Sequence, residues 1–214
     1  MSANLACVKM LKILYVIAAV TTSGVIAWNV RKGRTADLDL AITTAIQRRK
    51  HPVFARLMWL ASWAGFPPQS RTLPFIWPVL WMVAGRPVAA LFQLAGWGTS
   101  AISFLVKFTM RRPRPHIDNC IVIPARIGGT SFPSGHVINY TGVYGTMAML
   151  VANSTLPRPI RQVLIAAVAV KIALVGPSRI YLGHHWFTDV VTSYLLGSSY
   201  VIVLTAVYRR IARR

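Results

Sequence analysis

The sequence predicts an all-α, polytopic membrane protein: six transmembrane helices in a bundle with an additional interfacial helix, as a single domain over residues 1–214. Hydrophobic residues make up 55% of the chain and charged residues only 13%, which is far more apolar than ordinary soluble domains. Lys and Arg number 24 against four Asp and no Glu. A charge this basic fits either a nucleic acid or an anionic membrane surface. Because the chain contains long apolar runs, we interpret the partner as membrane lipid and not nucleic acid.

Six apolar stretches approach the length of about 20 residues that crosses a bilayer. The first follows Lys9 and Lys12; we interpret it as an uncleaved anchor and not a signal peptide, because its apolar part is long and no clear cleavage site follows. The second is short and contains two prolines, and the third is rich in small residues that allow close helix packing. The predicted spans are residues 11–30, 73–85, 88–106, 136–152, 160–177 and 189–208.

The region between the first two spans, residues 31–72, is basic and predicted to be irregular apart from one helix. Residues 51–66 contain tryptophans, an arginine and an apolar stretch too short to cross, which is typical of a helix lying in the membrane interface. A short re-entrant segment is the alternative. Six spans place both termini on one side of the membrane and the loops 107–135 and 178–188 together on the other.

Two of the polar stretches on that side could bind an anion. In KFTMRRPRP, Lys107 to Pro115, prolines stiffen a cationic segment; alone, it could equally be a basic patch attracted to headgroups. In SFPSGHV, Ser131 to Val137, Gly135 allows close backbone approach at a helix start whose amides are unpaired, and Ser134 adds a hydroxyl donor. The alternative is a plain turn before a transmembrane helix, with His136 merely interfacial.

The third polar stretch, SRIYLGHHWFTD, runs from Ser178 to Asp189 and contains two adjacent histidines. Residues four apart share a helix face, whereas residues five apart diverge. Asp189 can therefore accept the proton on one ring nitrogen of His185 and leave the other nitrogen nucleophilic. His184 is expected to pack or to line the pocket. A structural His–Asp pair without chemistry is the alternative.

Together the three stretches predict a pocket for a tetrahedral dianion. Lys107, Arg114 and Arg179 would supply cations, Ser134 and the Gly135 amide neutral donors, and His185 and His136 imidazoles. One histidine would attack phosphorus while the other protonates the leaving oxygen and later activates water. No metal and no other cofactor is predicted, because the cations are built in and carboxylate ligands are scarce.

These stretches resemble the signature of the type-2 phosphatidic acid phosphatase family, which reads K-x6-RP, then PSGH, then SR-x5-H-x3-D. Every fixed letter of that pattern is present between Lys107 and Asp189. The resemblance implies that His185 is the nucleophile that forms a phosphohistidine, that Asp189 is its partner and that His136 is the general acid and base. It also implies that the substrate phosphate is bound by Lys107, Arg114, Ser134, Gly135 and Arg179.

The function that this resemblance implies is a metal-independent lipid phosphate phosphatase of a bacterial inner membrane. Its partners would be membrane lipids and a lipid phosphate substrate of the phosphatidate, phosphatidylglycerol phosphate, undecaprenyl diphosphate or lipid A type. A lipid phosphotransferase with the same nucleophile is an alternative, and vanadium haloperoxidases share a similar pocket but are soluble. From another class, a silent membrane scaffold or transport protein could keep the pocket, but binding alone would need only the cations and not His136, His185 and Asp189.

The distribution of Lys and Arg between the two sides of the predicted membrane gives little information about the orientation of the chain. Fourteen Lys and Arg lie on the pocket side and nine on the side of the termini; without the three phosphate-binding cations the counts are 11 and nine. The positive-inside rule would place the pocket in the cytoplasm by a small margin. Bacterial relatives mostly carry this site outside, so we predict the periplasmic or external face. Cys7 and Cys120 would lie on opposite sides and form no disulfide.

Overall fold

The computed structural model describes residues 2–124 and 128–212, with side chains from residue 6 onward. Within these ranges the chain forms nine helices and no strand, which confirms the all-α prediction. The helices are α1 (Ser2–Arg31), α2 (Ala36–Gln47), α3 (Pro52–Trp63), α4 (Gln69–Val83), α5 (Pro87–Ala95), α6 (Gly98–Met110), α7 (Gly135–Ala152), α8 (Arg158–Tyr181) and α9 (Phe187–Ile211).

Four segments are long and apolar enough to cross a membrane: Ala6–Arg31, Pro87–Met110, Arg158–Tyr181 and Phe187–Ile211. Each contains one predicted span and extends beyond it, and the second combines α5 and α6 across a short break at Gly96 and Trp97. The predicted spans at 73–85 and 136–152 fall in α4 and α7. The 15 residues of α4 reach only about 22 Å against a hydrocarbon core of about 30 Å. The chain is thus an all-helical membrane protein with four candidate spans among the described residues.

The prediction that residues 31–72 are irregular apart from one helix is wrong, because α2 and the start of α4 also lie there. In α2 the buried residues are Asp39, Thr43 and Gln47, spaced four apart and polar, so a search for apolar periodicity does not detect this helix. The predicted interfacial helix at 51–66 corresponds to α3, which is shorter and buries Met58 and Ser62. This helix packs against α8.

The centre of the bundle is α7, which packs against α5, α6, α8 and α9. Twelve of its 18 residues are buried. Glycines allow the closest of these contacts: a Cβ added at Gly142 would lie 2.4 Å from Thr99 Oγ1 and 2.6 Å from the carbonyl oxygen of Gly96. At Gly197, an added Cβ would lie 2.8 Å from Cβ of Thr141. The helices therefore meet through small residues, as is usual in membrane bundles.

This packing brings four helix ends together at one end of the bundle. Lys107 lies in the last turn of α6 and Arg179 in the last turn of α8, whereas Ser134 caps the start of α7 and Asp189 lies in the first turn of α9. Residues far apart in the sequence thus come to surround one site.

Candidate active site

The turn between α8 and α9 places the two adjacent histidines. The amides of His184 and His185 both donate to the carbonyl of Arg179, at 3.0 and 3.3 Å. Gly183 makes this turn with a φ of +70°, and a Cβ there would lie 2.1 Å from the carbonyl oxygen of Ile121. Glycine is required at this position both by the backbone conformation and by the neighbouring chain.

The buried ring of His185 is held through one nitrogen and keeps the other as an acceptor. Its Nδ1 lies 2.8 Å from the Ser131 carbonyl oxygen, and its Nε2 lies 3.1 Å from Nη1 of Arg114. A carbonyl only accepts and a guanidinium only donates, so the proton is on Nδ1 and the lone pair of Nε2 faces Arg114. This is the arrangement that a histidine nucleophile requires.

The orienting acceptor differs from the one predicted. Asp189 Oδ2 is 3.5 Å from His185 Nδ1, so the Ser131 carbonyl makes the shorter contact. The reason is that Asp189 Oδ2 already accepts a hydrogen bond from the Ser131 hydroxyl and another, at 2.8 Å, from the Trp186 amide. Asp189 therefore acts on the ring as a nearby negative charge, and its catalytic role stays a prediction.

The predicted cations Arg114 and Lys107 converge on the same loop. Arg114 donates to the carbonyls of His184 (2.7 Å), Gly128 (3.0 Å) and Gly129 (3.3 Å), and Lys107 donates to the carbonyl of Thr130 at 2.6 Å. These bonds hold residues 128–130 over His185. Both charges are thereby fixed beside the imidazole.

The third predicted cation, Arg179, is fully buried beneath the ring of Phe66. Its Cζ lies 5.1 Å from the ring centroid, and Nη1 is 3.4 Å from the Ser62 hydroxyl. Within the described part of the chain, its Nε and Nη2 have no hydrogen-bond partner and it forms no ion pair. Buried polar groups are nearly always paired, so donors of this kind are suited to an anionic ligand.

His136 contacts the same aromatic ring in an edge-to-face arrangement. Its ring centroid lies 5.3 Å from that of Phe66, and its buried Nε2 has no partner among the described residues. The ring of His184 is 6.1 Å from Phe66, and its Nε2 donates to the Ile123 carbonyl at 2.7 Å. The structure therefore gathers both predicted imidazoles and the packing histidine around one site.

The two predicted neutral donors lie at the start of α7. The Ser134 hydroxyl accepts from the Val137 amide at 3.5 Å, a weak helix cap. A Cβ added at Gly135 would lie 3.9 Å from Cε of Lys107, which places this amide next to the Lys107 side chain. All eight predicted site residues thus lie at one end of the bundle.

Sequence reasoning missed four residues that complete the site. They are Arg112, Asp39, Phe66 and Gly65. Arg112 donates to Asp189 Oδ1 at 2.6 Å and to Asp39 Oδ2 at 2.6 Å, and the ring of Phe66 contacts Arg179 and His136. Gly65 is also required, because a Cβ there would lie 2.2 Å from Cδ2 of His136. One signal was available: Asp39 is one of only four acidic residues in a chain with 24 cations.

A groove of about 350 Å³ opens beside His136. Its walls come from the loop after α3, from α4, from the break before α6 and from α7. Much of its lining is apolar or aromatic and includes Pro74, Trp97, Tyr140, Val143 and Tyr144. The polar lining residues include Ser70 and Arg71. The groove leads away from the imidazole along the bundle.

Burial keeps the two adjacent histidines neutral. It lowers the pKa of His185 well below the ordinary 6.5, and Arg179 and Arg114 lower it further. It also lowers the pKa of His184 to about 4, with Arg179 as the next cause. Burial likewise lowers the pKa of Arg114. The imidazoles of His184 and His185 are therefore neutral at neutral pH, beside guanidinium groups.

These shifts predict a loss of stability in mild acid. The unfolded chain, with histidine pKa values near 6.5, binds more protons than the folded one, so the free energy of unfolding falls as the pH drops below about 6.5. For His184 the loss continues to about pH 4. The midpoint of thermal unfolding in detergent should therefore fall between pH 7 and pH 5, and fall less in His184→Gln. An equal fall of the unfolding midpoint in wild type and His184→Gln would contradict the conclusion that the lowered pKa of His184 contributes to the acid sensitivity.

Fold and site together define an all-α membrane protein with a cationic, histidine-containing pocket at one end of its bundle. The family model described as "PAP2 superfamily" matches residues 87–213, and this chain belongs to that superfamily. The predicted resemblance to the type-2 phosphatidic acid phosphatases is thereby confirmed. Phosphatases of this superfamily are hydrolases that act on lipid phosphates.

Two solved structures share the fold. The PAP2-type phosphatidylglycerolphosphate phosphatase from Bacillus subtilis is 22% identical, with a TM-score of 0.79 over 92% of this chain and 96% of that one. Aquifex aeolicus LpxE is 18% identical, with a TM-score of 0.56 over 81% and 95%. No curated protein sequence matches this chain significantly. At these identities the likeness establishes the fold alone.

Proposed function

We propose that this protein is a membrane lipid phosphate phosphatase that works through a phosphohistidine on His185. One observation carries the proposal: the lone pair of His185 Nε2 lies 3.1 Å from a guanidinium nitrogen of Arg114, in a site that also contains the buried and unpaired donors of Arg179. A phosphoryl group seated on these cations would present phosphorus to that lone pair. Fixed positive charge of this kind stabilises the charge of phosphoryl transfer.

The reaction would take two steps. Binding of the phosphate anion beside His136 favours the protonated form of that imidazole. The Nε2 lone pair of His185 forms a bond to phosphorus, the bond from phosphorus to the lipid oxygen breaks, and His136 gives its proton to that oxygen. His136, now neutral, takes a proton from water; the water oxygen bonds to phosphorus, and the phosphorus–nitrogen bond breaks. Inorganic phosphate leaves with His185 neutral and His136 protonated again.

The groove beside His136 supports a lipid as the leaving group. His136 must face the oxygen that departs, so the rest of the substrate should extend along the tyrosines and apolar residues of that groove. Substrates of this kind are the phosphomonoesters and diphosphates of lipids, such as phosphatidate, phosphatidylglycerol phosphate, undecaprenyl diphosphate and lipid A phosphates.

Hydrolysis is expected without a metal. Lys107, Arg114 and Arg179 supply the charge that a divalent cation would otherwise contribute, and no group of three or more His, Cys or Asp side chains in the described ranges could hold one. The expectation is tested together with the activity itself.

The test is phosphate release by purified protein from a panel of those four lipid phosphates, in detergent with and without a chelator. We expect release from at least one lipid and equal rates with chelator. Failure to release phosphate from any of them would overturn the phosphatase. Transfer of the phosphoryl group to a second lipid with no free phosphate would instead identify a phosphotransferase.

We also propose that α4 and α7 cross the membrane with the four candidate spans, giving six spans in the cell membrane of a bacterium with the site on the external face. A central α7 packed on all sides needs little apolar surface of its own, which accounts for its polar residues. The short α4 could cross where the bilayer thins locally.

Labelling of the two free cysteines tests this orientation. An impermeant thiol reagent should label Cys120, beside the site, in intact spheroplasts, and Cys7 only after permeabilisation. Because burial raises the pKa of the Cys120 thiol, the reaction should be run at pH 8.5, where more thiolate is present. The reverse labelling pattern would place the site in the cytoplasm.

A further inference from the structure

Asp39, which is buried, and Arg112, at a variable position of the first motif, connect α2 to the site. Arg112 donates through Nη2 to Asp39 Oδ2 at 2.6 Å and through Nη1 to Asp189 Oδ1 at 2.6 Å. The side chains of Asp39 and Asp189 are 1% and 0% exposed, and that of Arg112 is 11% exposed. Thr188 joins the same network, because its hydroxyl contacts Arg112 Nη1 at 2.8 Å and donates to Asp39 Oδ2 at 2.9 Å.

The charges of this network do not cancel. Two buried carboxylates share one guanidinium, so the network keeps one net negative charge. Asp189 turns its second oxygen toward Ser131 and lies 3.5 Å from Nδ1 of His185. If Arg112 were paired with Asp189 alone, the guanidinium would neutralise the carboxylate that faces the imidazole. Because Asp39 binds Nη2 of Arg112, the guanidinium neutralises only part of the charge of Asp189.

We infer that Asp39 and Arg112 are positioning residues that hold Asp189, and its negative charge, beside His185. The inference rests on the proposed function. When Nε2 of His185 bonds to phosphorus, the ring keeps its proton on Nδ1 and becomes positively charged. A carboxylate 3.5 Å away stabilises that charge, and its effect depends on how much of it Arg112 neutralises.

The simpler explanation of Asp39 is purely structural. Its Oδ1 accepts the Thr188 amide at 2.9 Å, so it caps the start of α9 from a different helix, and a carboxylate is favourable there. An asparagine at position 39 keeps an oxygen for this amide but loses the charge. Asp39→Asn therefore separates the two explanations.

The experiment compares steady-state kinetics and trapped phosphoenzyme in wild type, Asp39→Asn and the control Asp37→Asn, which removes an exposed carboxylate from the same helix. For Asp39→Asn we expect kcat and the rate of phosphoenzyme formation to fall roughly 10- to 100-fold, by analogy with the loss seen when the outer-shell partner of a metal-binding histidine is removed. KM should stay equal or fall, because the site becomes more positive. Asp37→Asn should match wild type.

A double-mutant cycle tests whether Asp39 acts through Asp189. In an Asp189→Asn background, followed by single-turnover measurement with labelled lipid, adding Asp39→Asn should change the rate by less than about twofold. If the double variant instead loses rate by the product of the two single losses, Asp39 acts independently of Asp189. That result would overturn the inference in favour of the structural explanation. Wild-type kcat in Asp39→Asn, or a raised KM with kcat unchanged, would overturn it as well.

A second variant decides the case if Asp39→Asn unfolds. Arg112→Lys keeps the charge but loses the planar fork that bridges two carboxylates, so the same fall in kcat is expected, and a wild-type kcat would overturn the inference. No phosphate release by wild type would overturn the proposed phosphatase itself. Normal release by wild type and both variants would overturn this inference alone.

Discussion

Replacing His185 with asparagine is expected to lower phosphate release by about 10⁴-fold or more, since removal of a nucleophile typically has effects of this size. Asparagine keeps a donor for the Ser131 carbonyl, which His185 Nδ1 contacts at 2.8 Å, but has no lone pair in the position of Nε2. The measurement is the rate of phosphate release together with trapping of phosphoenzyme from labelled lipid. Neither should be detectable in the variant.

Two other histidines provide matched controls for this loss. His116 is exposed, and its hydrogen bonds among the described residues are to Asp118 and to the backbone of the loop around it. His116→Gln should therefore keep wild-type activity. His184 is adjacent to His185 and buried, and its glutamine variant should be weakened by altered packing but still form phosphoenzyme. A phosphoenzyme in His185→Asn that is absent in His184→Gln would show that the nucleophile is the other histidine.

Replacing Gly65 with alanine is expected to lower kcat for lipid substrates by about 100-fold, because it displaces the general acid. The new Cβ would lie 2.2 Å from Cδ2 and 2.8 Å from Nε2 of His136, so the imidazole must move. The loss should be much smaller with p-nitrophenyl phosphate, whose leaving group departs without a proton. Comparison of kcat for the two substrates measures the effect.

Gly24→Ala is the control for this substitution, because an added Cβ at Gly24 has nothing within 4 Å. It should leave both activities unchanged. Equal losses of Gly65→Ala on the lipid and on the aryl phosphate would contradict the proton-transfer role of His136. Such a result would point to weaker binding of phosphate.

The site residues that the sequence predicts are those with a local or motif signal. The spacing to Asp189 favours His185 over His184 because residues four apart on a helix share a face. In the structure α9 begins only at Phe187, so His185 lies in the turn before the helix, and Asp189 still comes within 3.5 Å of its Nδ1. Asp39 had no such signal, since it meets Arg112 across 73 residues of chain. The contact depends on how α2 packs, and α2 itself was missed because its buried face is polar.

The lengths of the helices were underestimated for a related reason. Apolar windows end where polar side chains begin, but a helix continues as long as its backbone bonds are made. The last helical turns of α8 run past Pro177 to Tyr181 and include the buried Arg179. Two of the predicted cations, Lys107 and Arg179, therefore lie in helical turns that hydropathy assigns to loops.

The groove and the reacting groups are built largely from two different stretches of chain. The predicted phosphate-binding and catalytic groups all come from residues 107–189, whereas one wall of the groove comes from residues 64–74. Gly65 and Phe66 contact the reacting groups, but exchanging Ser70, Arg71 or Pro74 is expected to alter which tail or headgroup fits and to leave those groups in place. If the proposed phosphatase is correct, lipid preference can thus change through these three positions without a change in the reacting groups.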